Sequence, residues 1–282
     1  RPEDIFKQFD FDIPDELLEY RYRVDGDGRP LFTTPGLTAL RVRDIDGDGL
    51  RDVVATAWAS DQLVFLPGNL ETYFGPPRLL PIQGAPRDLD FGDFNGDGHP
   101  DLAVVLYATG QVALLQGDGL GAFVEVDRFL SRGRLPISVR AADLDLDGNQ
   151  DIVVAHRGPD DSIVVFYGDG NHSFPDSREI MIGKSRDLSE HEIRDLVVRD
   201  LDQDGRPDLA LTCHASRKVV VLLNRVAPEG DEDALLWERE EYSFKEGRPY
   251  ALCAADFNND GRMDLAVTLW ESNTVSLLLG NQ

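Results

Sequence analysis

Five short stretches of this sequence space their carboxylates in a way that suits a hard cation. The first reads Asp44-Ile45-Asp46-Gly47-Asp48-Gly49-Leu50-Arg51-Asp52, with Val53-Val54-Ala55 directly behind it. Asp44, Asp46 and Asp48 alternate, so a curled backbone can bring three carboxylates to one point. Gly49 supplies the sharp turn, because a residue without Cβ takes the required angles cheaply. Asp52 then adds a carboxylate from the far side. An all-oxygen cage of this kind favours calcium over magnesium, which usually keeps several waters. At positions one, three, five and nine the other copies read Asp93, Asn95, Asp97, Asp101; Asp143, Asp145, Asp147, Asp151; Asp200, Asp202, Asp204, Asp208; and Asp256, Asn258, Asp260, Asp264. Position six is always glycine (Gly49, Gly98, Gly148, Gly205, Gly261). Position two is always apolar (Ile45, Phe94, Leu144, Leu201, Phe257), which pins each loop to a core. The backbone carbonyl of position seven, from Leu50, His99, Asn149, Arg206 or Arg262, is the remaining expected ligand, with one calcium per loop. One such stretch reads equally as a solvated acidic turn; five in register do not.

An EF-hand loop also opens with spaced acids, but it needs a glutamate at position twelve and flanking helices. Here position twelve is Ala55, Val104, Val154, Leu211 or Val267, each inside a β-type run. The spacing of the loops reveals the elements that must carry them. Successive copies begin 49, 50, 57 and 56 residues apart, and periods of about fifty residues mark propellers or solenoids. In the first unit Thr38–Arg43 leads into the loop, Asp52–Trp58 leaves it, and Gln62–Pro67 and Arg78–Ile82 complete a sheet. Gly68-Asn69, Gly117-Asp118-Gly119 and Gly168-Asp169-Gly170 mark turns. A four-stranded antiparallel unit of this length is a propeller blade. The expected fold is therefore all-β, a β-propeller of five four-stranded blades beginning near residues 37, 86, 136, 193 and 249.

These residues resemble the FG-GAP/VCBS repeats, which also build the head of integrin α-chains. Asp264-Leu265-Ala266-Val267, followed by Ser272-Asn273-Thr274-Val275-Ser276-Leu277-Leu278-Leu279-Gly280-Asn281, is very similar to the repeat consensus. The resemblance extends over about residues 37–282. It implies a calcium loop between the first two strands of each blade. Propellers of this family serve adhesion, sugar binding and, as appended domains, enzymes, so the resemblance does not select a function.

Residues 1–24 do not fit the repeat and read as an N-terminal extension or connector, docked on the rim or leading to another domain or subunit. Asp25-Gly26-Asp27-Gly28 looks like the turn between third and fourth strands, and Arg29–Thr34 like a fourth strand. The last blade stops at that same turn, Gly280-Asn281-Gln282. Residues 25–36 are therefore expected to close it as an N-terminal strand paired with Val275–Leu279, which removes an exposed edge. Pairing between molecules would instead make this segment a self-assembly device. Ser185–Glu192 and the acidic Glu229–Asp233 lengthen one unit and are candidate partner surfaces. Counting back from each loop, even positions of the first strands are apolar: Val42 and Leu40, Phe91 and Leu89, Ala141 and Val139, Val198 and Leu196, Ala254 and Leu252. These are expected to pack between blades. The odd positions hold Arg41, Arg43, Asp88, Asp90, Arg140, Asp195 and Arg199, which suits an Arg–Asp network between blades near the axis.

A formal charge of −24 argues against nucleic acid or an anionic membrane as partner. Eighteen of the carboxylates sit in the five loops, where calcium would neutralise part of the charge. No apolar run is long enough to span a membrane. Loops of this type bind at calcium levels found outside cells, which points to an extracellular or cell-surface protein. Asn171-His172-Ser173 fits a glycosylation sequon. The two cysteines, Cys213 and Cys253, lie in adjacent blades, either bridged or packed as buried thiols.

Six residues beyond the last loop aspartate of each blade stand Trp58, Tyr107, Arg157, His214 and Trp270. By chain direction they share the face opposite the cation loops, and repetition around a ring gathers them near the axis. Aromatic rings and arginine suit a protein or glycan partner there, with Asp61, Asp160, Asp161 and Glu271 as an acidic rim. The competing reading is ordinary packing of these side chains against the next blade. Serine-elbow, zinc-protease, phosphate-loop and Cys-x-x-Cys motifs are absent, and the histidines have no ligand spacing. The sequence thus favours a binding, adhesion or structural module for protein or glycan partners. The alternative is a glycan-active lyase or hydrolase, or its accessory domain, built on an acid–histidine or acid–tyrosine cleft.

Overall fold

Apolar residues on both faces of the strand that follows each loop require a cover on either side, and neighbouring blades provide it. The computed structural model describes residues 23–24, 30–31, 36–158, 161–183, 191–225 and 236–280. They form an all-β five-bladed propeller, each sheet an antiparallel meander in chain order. The first blade holds Leu37–Arg43, Asp52–Ala57, Gln62–Leu66 and Arg78–Pro81, and the second Pro86–Gly92, Asp101–Leu106, Gln111–Gly117 and Phe123–Leu130. The third holds Pro136–Ala142, Asp151–His156, Ser162–Tyr167 and Asp176–Met181, and the fourth Ile193–Arg199, Asp208–Cys213, Lys218–Arg225 and Leu236–Ser243. The fifth contributes Arg248–Ala255, Asp264–Trp270 and Thr274–Leu278. Second strands of the middle blades are buried throughout. No helix among the described residues is long and apolar enough to cross a membrane.

Each pair of neighbouring blades encloses its own apolar core. Val54, Leu63 and Phe65 of blade one meet Leu89, Leu102 and Val104 of blade two. Val105 and Leu114 meet Val139 and Val154 at the next joint, Val153 and Val165 meet Leu196 and Leu211 at the third, and Ala210 and Val219 meet Val267 and Leu269 at the fourth. The even positions of the first strands face the preceding blade, as their alternation requires. Blade one is the exception: Leu40, the counterpart of buried Leu89 and Val139, is 58% exposed, and Val42, the counterpart of half-buried Phe91 and Ala141, is 52% exposed. On the opposite flank, Val275, Leu277 and Leu279 of blade five are also exposed.

The expected axial network forms in part. Arg41 bridges Asp88 and Asp90 of the next blade, both at 3.1 Å, and Arg140 bridges Asp88 at 2.7 Å and Asp195 at 3.1 Å. Burial pushes the Asp88 carboxyl up, but Arg140 and Arg41 outweigh it and hold the group below its usual range. Arg43 lies over the Phe91 ring, and Arg199 bonds the carbonyl of Val198, so neither joins the network. Both cysteines are free thiols; Cys213 is buried as expected, whereas Cys253 is exposed.

Of the expected closing strand, residues 25–29 and 32–35 lie outside the described residues, as do residues 1–22. Pro30–Leu31 pairs with Arg23–Val24 in a separate two-stranded sheet rather than with Val275–Leu279. The fifth sheet therefore has three strands among the described residues, and the inferred pairing is not among those observed. Residues 184–190 and 226–235, most of the two candidate insertions, also lie outside the described residues.

Every first strand also contains a β-bulge where it pairs with the second. The register shifts leave Thr38, Arg87, Ile137, Arg194 and Tyr250 (with Ala251) without an opposite residue. In three blades a threonine of the second strand fits the gap, buried in the first and fourth blades and exposed in the fifth. The hydroxyls of Thr56, Thr212 and Thr268 each accept an N–H at the bulge or just past it, from Ala39, Asp195 and Ala251, at 3.0 Å. Thr212 also donates to the Tyr250 carbonyl of the next blade, which ties the bulge to the joint.

Candidate functional site

The five acidic loops lie together on one face, between first and second strands, and share one internal geometry. The position-one carboxylate accepts the N–H of the position-six glycine in each loop, as in Gly49 to Asp44 at 3.0 Å and Gly148 to Asp143 at 2.9 Å. The position-five carboxylate accepts the N–H of position seven, from Leu50, His99, Asn149, Arg206 and Arg262. Position six has φ between 84° and 95°, which glycine adopts without strain. Position four is left-handed as well, although three loops place Leu146, Gln203 and Asn259 there.

Position nine is the most constrained. Asp52, Asp101, Asp151 and Asp208 are fully buried and Asp264 is nearly so. One oxygen of each accepts the N–H of position two: Ile45, Phe94, Leu144, Leu201 or Phe257. The other accepts an N–H at the end of the third strand: Gly68, Gly117, Gly168, Asn224 or Gly280. Burial pushes the Asp151 carboxyl up to about 7 and that of Asp208 up to about 6, and the neighbouring loop acids add to the rise.

Among the described residues, three groups of carboxylates converge with oxygens within 4.8 Å of one another: Asp44, Asp46 and Asp48; Asp143, Asp145 and Asp151; Asp200, Asp202 and Asp208. In the fourth loop Asp200 Oδ1 is buried with no hydrogen-bond partner, an oxygen that a cation would satisfy. Loops two and five carry amides at Asn95 and Asn258, each bonded to the position-five carboxylate. Side chains the spacing did not flag also approach the loops. Arg225 bonds Asp202 and Asp204, and His172 Nε2 lies 3.0 Å from Asp101 Oδ2.

On the opposite face, Trp58, Tyr107 and Arg157 converge with Arg87, Ile137 and Arg194 around a cavity of about 170 Å³ at the axis. His214 and Trp270 lie beside it and flank Tyr250, which stacks on Trp270 with centroids 5.6 Å apart and meets His214 edge-on. The expected acidic rim is engaged elsewhere. Asp61 accepts the N–H groups of Gly84 and Ala85, and Asp161 those of Glu192 and Ile193, while Glu271 pairs with Arg248 and Arg217. Asp160 lies outside the described residues. A second cavity of about 350 Å³ includes His156, Asp161 and Glu179. Burial drives the His156 imidazole down to about 4, and neither ring nitrogen has a hydrogen-bond partner, so it forms no acid–histidine pair.

A family model described as an FG-GAP-like repeat matches residues 44–104, 143–211 and 200–267, together more than half of the chain. The chain belongs to the FG-GAP-like repeat family. No curated protein matches it in sequence. Solved structures match the fold of these FG-GAP-like repeats. A catalytically inactive virginiamycin B lyase from Staphylococcus aureus with quinupristin has 16% identity, a TM-score of 0.57, and covers 92% of this chain and 73% of its own. A protein from Lactobacillus plantarum has 14% identity and a TM-score of 0.59, over 92% and 76% of the two chains. BBS1N in complex with ARL6DN has 12% identity and a TM-score of 0.54, over 86% and 67%. At these identities the likeness is one of fold alone.

The residues missed by the sequence reading, Arg87, Ile137, Arg194 and Tyr250, stand six positions before the loop in their FG-GAP-like repeats. Strict alternation assigns that position to the packed, apolar set. The bulge reverses its direction and delivers the side chain to the face instead. Proline one residue earlier, at Pro86, Pro136 and Pro249, is the available sequence signal, since proline in sheets gathers at bulges and strand starts.

Proposed function

We propose that this FG-GAP-like repeat propeller is a calcium-stabilised binding module of the cell surface or extracellular space, with structural cations on one face and a protein or glycan partner on the other. One observation carries the reading: Trp58, Tyr107 and Arg157, from three separate blades, line one cavity at the axis. Binding energy concentrates in these residue types. Among the described residues the cavity wall offers arginines and aromatic rings, and the Glu192 carboxylate beside it is engaged by Arg157 and Arg194, which favours binding over proton transfer there. On the other face, each loop would hold calcium through positions one, three, five and nine and the carbonyl of position seven. The all-oxygen donor sets and the orphaned Asp200 Oδ1 support that assignment. Calcium supplies positive charge among clustered carboxylates and stabilises the folded state by mass action.

Two measurements test the proposal. Metal analysis after buffer exchange should find calcium in the loops, and chelation should lower the melting temperature; an unchanged melting temperature refutes the structural role. Pull-down and glycan-array screening of the wild type should find a ligand that a Trp58→Ala, Trp270→Ala double variant loses while keeping its fold and metal content. A ligand retained in full by that variant places the binding surface elsewhere.

A further inference from the structure

The bulged residues and the second-strand ends interleave around the axial cavity, and its charge is opposite to that of the chain. Three arginines line it, Arg87, Arg157 and Arg194, in a protein of formal charge −24. Arg157 and Arg194 share a single carboxylate, Glu192. The Arg87 side chain has no hydrogen bond or ion pair among the described residues, and Arg194 Nε is buried without a partner. The nearby acids, Asp61 and Asp161, are turned to backbone N–H groups. The site therefore has donors and positive charge in excess.

Shape narrows the ligand further. The cavity, about 170 Å³, is smaller than the roughly 300–1,000 Å³ of drug-sized pockets, so it takes one ring-sized group. Trp58 lines it and is 42% exposed, leaving an aromatic surface for a ring to cover. The Arg194 guanidinium lies over the Tyr250 ring, 5.6 Å from its centroid, a cation–π contact that holds it in place. Planar guanidiniums bind carboxylates with paired hydrogen bonds. We infer that this cavity binds a carboxylate carried on a single six-membered ring, the carboxylate against Arg87 and Arg194 and the ring against Trp58. The inference rests on reading this face as the ligand face. Long polyanions are excluded by the charge of the surrounding chain.

The test is calorimetric and tryptophan-fluorescence titration of the full chain in calcium, with glucuronate, cyclohexanecarboxylate, glucose and acetate. At least one ring carboxylate should bind at least tenfold more tightly than glucose and acetate, and binding should weaken with salt. A preference for glucuronate identifies an acidic sugar, and a preference for cyclohexanecarboxylate an apolar ring acid. Arg87→Gln should weaken binding at least tenfold with little change in melting, because that side chain makes no hydrogen bond or ion pair among the described residues. Arg194→Lys, which keeps the charge but loses the planar fork, should weaken it as well. Equal binding of glucose and glucuronate, no binding of either ring carboxylate, or full affinity in Arg87→Gln overturns the inference. If the array or pull-down still yields a Trp58-dependent neutral ligand, the ligand face stands and only its anionic character falls. If no ligand depends on Trp58, the reading of the face itself falls.

Discussion

The position-nine aspartate is more than a ligand for an ion, and Asp52 allows the two roles to be separated. Its carboxylate is fully buried, with Oδ2 2.8 Å from the Ile45 nitrogen and Oδ1 2.6 Å from that of Gly68. Replacement by alanine leaves a buried N–H donor (Ile45) and a half-buried one (Gly68) without acceptors, at about 1–3 kcal/mol each. The expected loss is therefore about 2–6 kcal/mol, a large share of the roughly 5–15 kcal/mol that holds a domain folded. Asparagine keeps one acceptor oxygen and should cost about half as much. Asp46 at position three is the control, since loops two and five already carry an amide there (Asn95 and Asn258). Asp46→Asn should cost less than about 0.5 kcal/mol with calcium chelated, yet reduce the extra stability gained when calcium is added. Urea unfolding of all variants, in chelator and in calcium, measures both quantities. If Asp52→Ala matches the wild type in chelator and differs only in calcium, position nine serves the ion alone and the reasoning fails.

Three further outcomes follow. With calcium chelated, the raised carboxyls of Asp151 (about 7) and Asp208 (about 6) mean that the folded state holds protons the unfolded chain releases near its ordinary value of 3.8. Their contribution is then fully present below about pH 4 and is lost as pH rises through 6 to 7; melting temperatures across that range should fall in chelator and level out in calcium. Gly117→Ala should destabilise by about 1–3 kcal/mol, because its Cβ would lie 2.2 Å from the Pro100 carbonyl oxygen; an unchanged urea midpoint would contradict that. Leu146→Asn should stabilise by about 0.5–1 kcal/mol, since Leu146 is exposed with φ 64° and asparagine tolerates that conformation better; a loss of stability on thermal melting would show that Leu146 is held by contacts instead.

The loops, the period and the strands were legible because they repeat: Asp44, Asp93, Asp143, Asp200 and Asp256 set a register from which each first and second strand follows. The gathering of Trp58, Tyr107 and Arg157 at one cavity was also readable, because a register in the chain becomes a ring in the fold. The bulge was not. Arg87 and Arg194 sit at positions that period-two alternation sends inward, and only the slipped pairing with Leu106 and Cys213 sends them out. Left-handed backbone at Leu146, Gln203 and Asn259 was equally hidden, since glycine marks that place in only the first two loops. The double hydrogen bond of each position-nine carboxylate joins residues 16 or 17 positions apart, as with Asp101 and Gly117 or Asp151 and Gly168, and spacing within the loop alone does not reveal it.

The two exposed flanks, Leu40 and Val42 at one end and Val275 and Leu277 at the other, have a consequence for how such a molecule can be lengthened. Each internal joint sets the even positions of one blade against the preceding sheet, so the two free flanks are the two halves of that same joint. A blade duplicated or transplanted at either end therefore meets a surface already cut to receive it. Blade number is thus a property of the array rather than of any one repeat.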